Sequence, residues 1–289
     1  MFERALLPTD FSPYSKKTIE CVAVMPGVQK VTLMHVIDAT RPSRHGWTHD
    51  REIENTKVLL AEQRKPLEEG GLTVSVELEV ITSGDIASGI LVVADRCAAS
   101  LIVRGARGDT RITEILLGRV VEAVLRRSSA SVLVMRHRLI EGLEGPASEK
   151  FCPGVFSKIL VPTDFSEEST RAISLLAPIQ GVQEILLLHA VTKGETKGDM
   201  DQDLRKAQRT LEESRPPGAG RIRTLVRVGD PVLAINQLSE EEDVSLIALG
   251  SHRTGILREL FHGSTVYDVA AGTDRPVLVV KPFPVLHET

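Results

Sequence analysis

The chain carries one segment twice, and this duplication restricts it to folds in which a unit can stand beside a copy of itself. Ala5–Ser12 reads ALLPTDFS and Ile159–Ser166 reads ILVPTDFS, and each is followed by a His closing an apolar run, His35 and His189. The two Asp, Asp10 and Asp164, and the two His are each 154 residues apart. Later landmarks repeat at a spacing of 145: Gly84-Asp85 with Gly229-Asp230, Gly105 with Gly250, Gly118 with Gly263, and Val132-Leu133-Val134 with Val277-Leu278-Val279. The first copy therefore holds nine extra residues between His35 and Gly84. The period is far longer than the roughly 20–50 residues of solenoid repeats, so each copy is expected to own a hydrophobic core.

Within each copy, short β-branched runs alternate with longer amphipathic stretches, the pattern of a parallel sheet with crossover helices. The first copy predicts strands at Ala5–Leu7, Val31–Val36, Thr73–Val80, Leu101–Arg104 and Val132–Met135, with helices near Tyr14–Val24, Arg51–Glu68, Ile86–Ala98 and Arg119–Arg126. The second predicts strands at Lys158–Val161, Glu184–Val191, Arg223–Val228, Leu246–Leu249 and Val277–Val280. Its helices fall near Glu168–Leu176, Asp201–Ser214, Val232–Glu240 and Ser264–Ala271. Ser12 and Ser166 stand where a hydroxyl can cap the first helix. Arg138–Gly154, rich in Gly and Pro, interrupts the alternation, so we read domains at 1–137 and 157–289 joined by a linker at 138–156. Thr40–Asp50, with Pro42, Gly46 and Trp47, is the expected home of the nine extra residues; Thr192–Asp199 is its shorter counterpart.

Composition narrows the function. A net charge of −4 supplies no polyanion-binding field, and 2 Tyr, 1 Trp and 7 Phe leave little to stack on bases, so nucleic acid is not an expected partner. No apolar run approaches membrane-spanning length, and the N-terminus has no signal-peptide core, so no membrane association is expected. Three Cys (Cys21, Cys97 and Cys152) without a CxxC pair suggest neither a disulfide framework nor a zinc site and fit a reducing cytoplasm.

In an open parallel sheet, ligands bind beyond the carboxyl ends of the strands where the winding reverses. The loops that matter follow strands one and four. The first is Pro8-Thr9-Asp10 or Pro162-Thr163-Asp164, suited to ribose hydroxyls or a base amino group. The second begins Gly105-Ala106-Arg107-Gly108 or Gly250-Ser251-His252-Arg253 and continues to Gly118-Arg119 or Gly263-Ser264-Thr265. Glycine lets a phosphate approach the backbone, and the following helix start offers free N–H groups. Val36, Ala190, Arg104 and Leu249, at neighbouring strand ends, complete the candidate nucleotide-binding set.

With PTDFS, the His after strand two, Val-Gly-Asp-Pro before the third helix of the second copy and the ordered glycines before the fourth helix, the chain resembles a tandem member of the universal stress protein family. The resemblance implies two repeated open parallel five-stranded sheets, each in the order 3-2-1-4-5 with helices on both faces. It also implies self-association through the fifth strands, within one chain or between two, and an adenine nucleotide, ATP or AMP, with Mg2+ where it is ATP. Both copies depart from the family motif: Arg119 replaces the Ser or Thr of the first, and Arg253 replaces the second glycine of the second. The second copy keeps two hydroxyls, Ser264 and Thr265, and is the expected better site. Rival readings are slow ATP hydrolysis or self-phosphorylation at Ser264 or Thr265, and a dimeric adaptor with empty sites serving a regulatory protein partner. Plainer roles are also on hand. Asp10 and Asp164 suit helix capping, His35 and His189 suit hydrogen-bonded core positions, and Arg119–Arg127 and Glu240–Asp243 read as solvated helix ends.

Overall fold

The computed structural model describes residues 2–41, 48–106, 117–136, 152–192, 197–215, 221–251 and 263–282. The first half runs β1 (Arg4–Pro8), α1 (Pro13–Ala23), β2 (Lys30–Asp38), α2 (His49–Glu69), β3 (Thr73–Ile81), α3 (Ile86–Arg96), β4 (Leu101–Ala106), α4 (Arg119–Arg127), β5 (Ser131–Arg136). The second half repeats it as β6 (Lys158–Pro162), α5 (Glu167–Leu176), β7 (Glu184–Val191), α6 (Lys197–Glu213), β8 (Arg221–Val228), α7 (Pro231–Glu241), β9 (Leu246–Gly250), α8 (Gly263–Gly272), β10 (Val277–Val280). The expected elements are all present, with ends shifted by a few residues. The loop residues 42–47 and 193–196 and most of the linker lie outside the described residues.

Each half has the expected order, and the two sheets join edge to edge as β3-β2-β1-β4-β5-β10-β9-β6-β7-β8. Every pairing within a half is parallel; at the junction β5 and β10 run antiparallel, Leu133 facing Leu278. A fifth strand alone would leave a bare edge, and each covers the other's. Because crossover helices bury both faces, the central strands are apolar throughout rather than alternating. Alternate residues feed opposite cores, Ala5, Leu7, Leu133 and Leu278 one and Leu6, Val132, Val134 and Val279 the other, so both cores run unbroken across the junction. Burying each such side chain contributes about 1.5–3 kcal/mol. The junction ends in two buried cations at matching positions, Arg136 and Lys281. Burial lowers the pKa of both, that of Arg136 to about 10 against the opposing pull of Asp274.

Two sequence expectations change here. Cys21 in α1 and Cys152 in the connecting segment form a disulfide, with Cα atoms 4.8 Å apart and a sequence separation of 131; Cys97 is free. Such a pairing has no local signature, and the cysteine count no longer argues for a reducing compartment. The end of the linker is also core, since Cys152, Val155 and Phe156 are buried and belong to the same hydrophobic cluster as Phe2 and Met25. The charged helix ends are exposed, as expected, with Arg126, Arg127, Glu240 and Glu241 in solvent, and they are also paired: Arg127 Nη1 donates to both Asp85 carboxylate oxygens at 3.1 and 3.2 Å and its Nη2 to Ser88 Oγ at 2.8 Å. Glu242 accepts from Arg223 at 2.6 Å and Lys158 at 3.0 Å, which holds its carboxyl near a pKa of about 2. No described helix is long and apolar enough to cross a membrane.

Candidate functional site

The PTDFS segment builds the same turn twice at the crest of the sheet. Ser12 and Ser166 cap α1 and α5, accepting from Ser15 N and Ser169 N. The Asp two residues earlier holds each cap in place: Asp164 Oδ1 accepts from Ser166 N at 3.1 Å and Ser166 Oγ at 2.6 Å, and Asp10 does the same with Ser12 at the same distances. Between them Phe11 and Phe165 adopt left-handed backbone, φ 61° and 66°. For a residue with a Cβ this conformation costs about 1–2 kcal/mol, and three contacts offset it. Each Phe N donates to the Thr hydroxyl, Thr9 or Thr163. Each ring packs on the following His, with centroids 4.6 Å apart for Phe11 and His35 and 4.3 Å for Phe165 and His189. Each His donates Nδ1–H to the Thr carbonyl, at 2.7 and 2.8 Å. The two His are thus hydrogen-bonded supports of the turn, the role expected from sequence.

Over the second crest lies a cleft of about 690 Å³. Pro162, Thr163, Asp164, Ala190, Leu249, Gly250 and Thr265 line it, so seven of the sequence-selected residues converge. Gly263 and Ser264 begin α8, whose Thr265 and Val266 close one side. Arg253 lies outside the described residues. His189 also lines the cleft; sequence reasoning missed Phe165, Leu188, Pro231 and Ile235, which form apolar wall, and the α6 face that presents Asp203, Lys206, Ala207 and Thr210. The α6 residues follow a variable loop, where the repeat offers no guide; their spacing on one helical face was the available signal. Gly250 is needed for packing too: a Cβ there would lie 2.6 Å from the Glu168 carbonyl carbon and oxygen.

The first crest is filled differently. Arg104 occupies the position of Leu249, since β4 pairs β1 and β5 in the same register as β9 pairs β6 and β10. Its Nη1 donates to Pro8 O at 3.2 Å, and its Nε is buried without a partner. Burial pushes the Arg104 pKa down while Asp10 pulls it back. From α2, Gln63 Oε1 accepts from Thr9 Oγ1 at 2.7 Å. Thr163 instead bonds Ser169 within its own turn. Burial alone would raise the Asp10 pKa, but bonds from the Ser12 hydroxyl, Ser15 and the Ser12 amide, with the Arg104 charge, bring it down to about 2. Burial lowers the His35 pKa, opposed by its Thr9 bond and by Asp10. Gly105 follows Arg104 in β4, Val36 is buried in β2, Gly118 caps α4 without a side-chain bond, and Arg119 is exposed on its first turn. Arg119 therefore does not fill this crest. Gly108 lies outside the described residues.

Among the described residues no cluster of three His, Cys, Asp or Glu could hold a metal ion. Comparison with known proteins agrees with the duplicated architecture. A solved universal stress protein from Archaeoglobus fulgidus is similar at a TM-score of 0.74 and 26% identity, over 97% of this chain and 99% of that one. Two curated universal stress proteins of Methanocaldococcus jannaschii are 24% identical over 155 residues, covering 44% of this chain and 96% of the relative, and 28% identical over 147 residues, covering 47% and 83%. The model of the universal stress protein family matches residues 1–136 and again residues 156–281, so the chain belongs to that family as a tandem, two-domain member.

Proposed function

We propose that this chain is a regulatory stress-response protein that binds adenine nucleotide, ATP or AMP, in the second-domain cleft. The carrying observation is that cleft: an apolar slot at the strand crest, where the winding reverses, bordered by a carboxylate on one side and a helix start on the other. Family membership supports the stress-response reading. Leu249, Ile235, Val266 and Phe165 offer a base its apolar walls. Asp164, whose described bonds all fall on Oδ1, turns its carboxylate to ribose or base amino donors. The first amides of α8 face the phosphate end, where the helix dipole favours negative charge. Mg2+ would enter with ATP, on its phosphates.

Titration with AMP, ATP and inorganic pyrophosphate tests the roles. Asp164→Asn keeps an Oδ1 acceptor for the Ser166 cap but removes the charge, and should weaken AMP and ATP by about 1–3 kcal/mol, the usual worth of a charge-assisted hydrogen bond. Pyrophosphate should change little. Equal losses for AMP and pyrophosphate at unchanged melting temperature would sink the assignment, and a wild-type protein that binds neither nucleotide would sink the function.

A further inference from the structure

The two crests share one backbone, so what separates them is side chains. At the position where Leu249 forms part of the second cleft's wall, Arg104 extends over the first crest to the Pro8 carbonyl. Gln63 crosses from α2 to Thr9 on the same crest. In the second half α6 presents Ala207 and leaves the space open. We propose that Arg104 is a built-in plug that closes the first domain to nucleotide, so that the chain carries one working site. This rests on the nucleotide reading of the second cleft.

The chemistry fits a plug better than a ligand-binding arginine. An arginine kept for phosphate would leave its guanidinium fork toward the helix start, whereas Arg104 spends Nη1 on the Pro8 main-chain carbonyl, on the β1 side of the crest, within the field of the Asp10 charge. Its buried Nε has no partner, a cost that an apolar side chain would not incur. Leucine is known to fit the same register position, because Leu249 occupies it in the second half with 5% exposure.

The test is stoichiometry, read by calorimetry and native mass spectrometry with AMP and ATP as probes. Wild type should bind one equivalent. Arg104→Leu should bind two without loss of melting temperature, and Arg104→Met, which keeps more of the side-chain length without the charge, should also gain the second equivalent. The reciprocal Leu249→Arg should lose the one wild-type equivalent, and the double exchange should return to one, now weakened by Asp10→Asn rather than Asp164→Asn. If wild type binds one and Arg104→Leu still binds one, the plug is refuted while the second-domain site stands. If wild type binds two and Arg104→Leu drops to one, Arg104 is a nucleotide ligand and the proposal is overturned. No binding by either protein removes both readings, whereas binding by Arg104→Leu alone upholds the plug and removes the second-domain site.

Discussion

The first and second halves agree in strand order, register, helix caps and even in the left-handed Phe of each PTDFS turn, yet they part at the crest. The second leaves an apolar cleft bordered by Leu249 and Ala207, whereas the first draws Arg104 and Gln63 across the same ground. The halves also differ in how they are fastened. α1 is bonded through Cys21 to the connecting segment, and Leu175 stands at the matching place in α5. Duplication copies a backbone because the backbone follows from hydrophobic periodicity, which tolerates exchange among apolar residues. A site depends on a few side chains pointing into one small volume, so single substitutions suffice to separate two copies.

The largest expected asymmetry is in stability. Reduction, or Cys21→Ser, should cost about 2–5 kcal/mol, since the bond closes a loop of more than a hundred residues in the unfolded chain. The loss should fall on the first half, splitting a single melting transition into two. Superimposable melts with and without dithiothreitol would remove the fastening from the comparison. Thiol titration of the unfolded, non-reduced protein should find Cys97 alone.

The caps should instead be symmetric. Ser12→Ala and Ser166→Ala each remove one hydroxyl acceptor from a helix start held by the same Asp, and each should cost about 1 kcal/mol. Denaturant midpoints that differ widely between the two variants would show that the turns, and not only the cleft residues, have diverged.

Acid should act on the first crest by a smaller amount. His35 has its pKa lowered by burial, so below about pH 6.5 the unfolded chain takes up the proton first and stability falls as pH drops toward 5. His35→Gln should flatten that part of the profile. Asp10 works further down: its pKa of about 2 lies below the ordinary 3.8, so its contribution is present above about pH 4 and disappears as pH falls toward 2. Solvent screening of this exposed carboxylate keeps that contribution below about 1 kcal/mol. Equal acid profiles for wild type and His35→Gln between pH 7 and 5 would contradict the burial argument.

Most of the backbone could be read before the fold was known. β2 was expected at Val31–Val36 and runs Lys30–Asp38, and α3 was expected at Ile86–Ala98 and runs Ile86–Arg96; the differences are at ends, where apolar periodicity stops and hydrogen bonding decides. The PTD and glycine landmarks located the crest because strand ends in this topology must carry the ligand loops. Attention fell on Arg119, however, because a motif ranks residues by place in a pattern. Arg119 is exposed; Arg104, which the sequence also placed in the candidate set but as a nucleotide contact, is the side chain that reaches across the first crest.

By itself, then, the amino-acid sequence determined two copies of one α/β unit, their strand and helix order, their serine caps and the end of the sheet where the second-half cleft lies. Those properties rest on interactions between residues close in the chain or on the burial of apolar periods, and both are written locally. The tertiary structure alone decided the junction register of β5 on β10, the bond between Cys21 and Cys152, the packing of Val155 and Phe156 into the first core, and the reach of Arg104 to Pro8 and of Gln63 to Thr9. Each of these joins groups from tens to well over a hundred residues apart. Their proximity has no counterpart in the order of residues, because it comes from how the layers pack and not from how the chain is spelled.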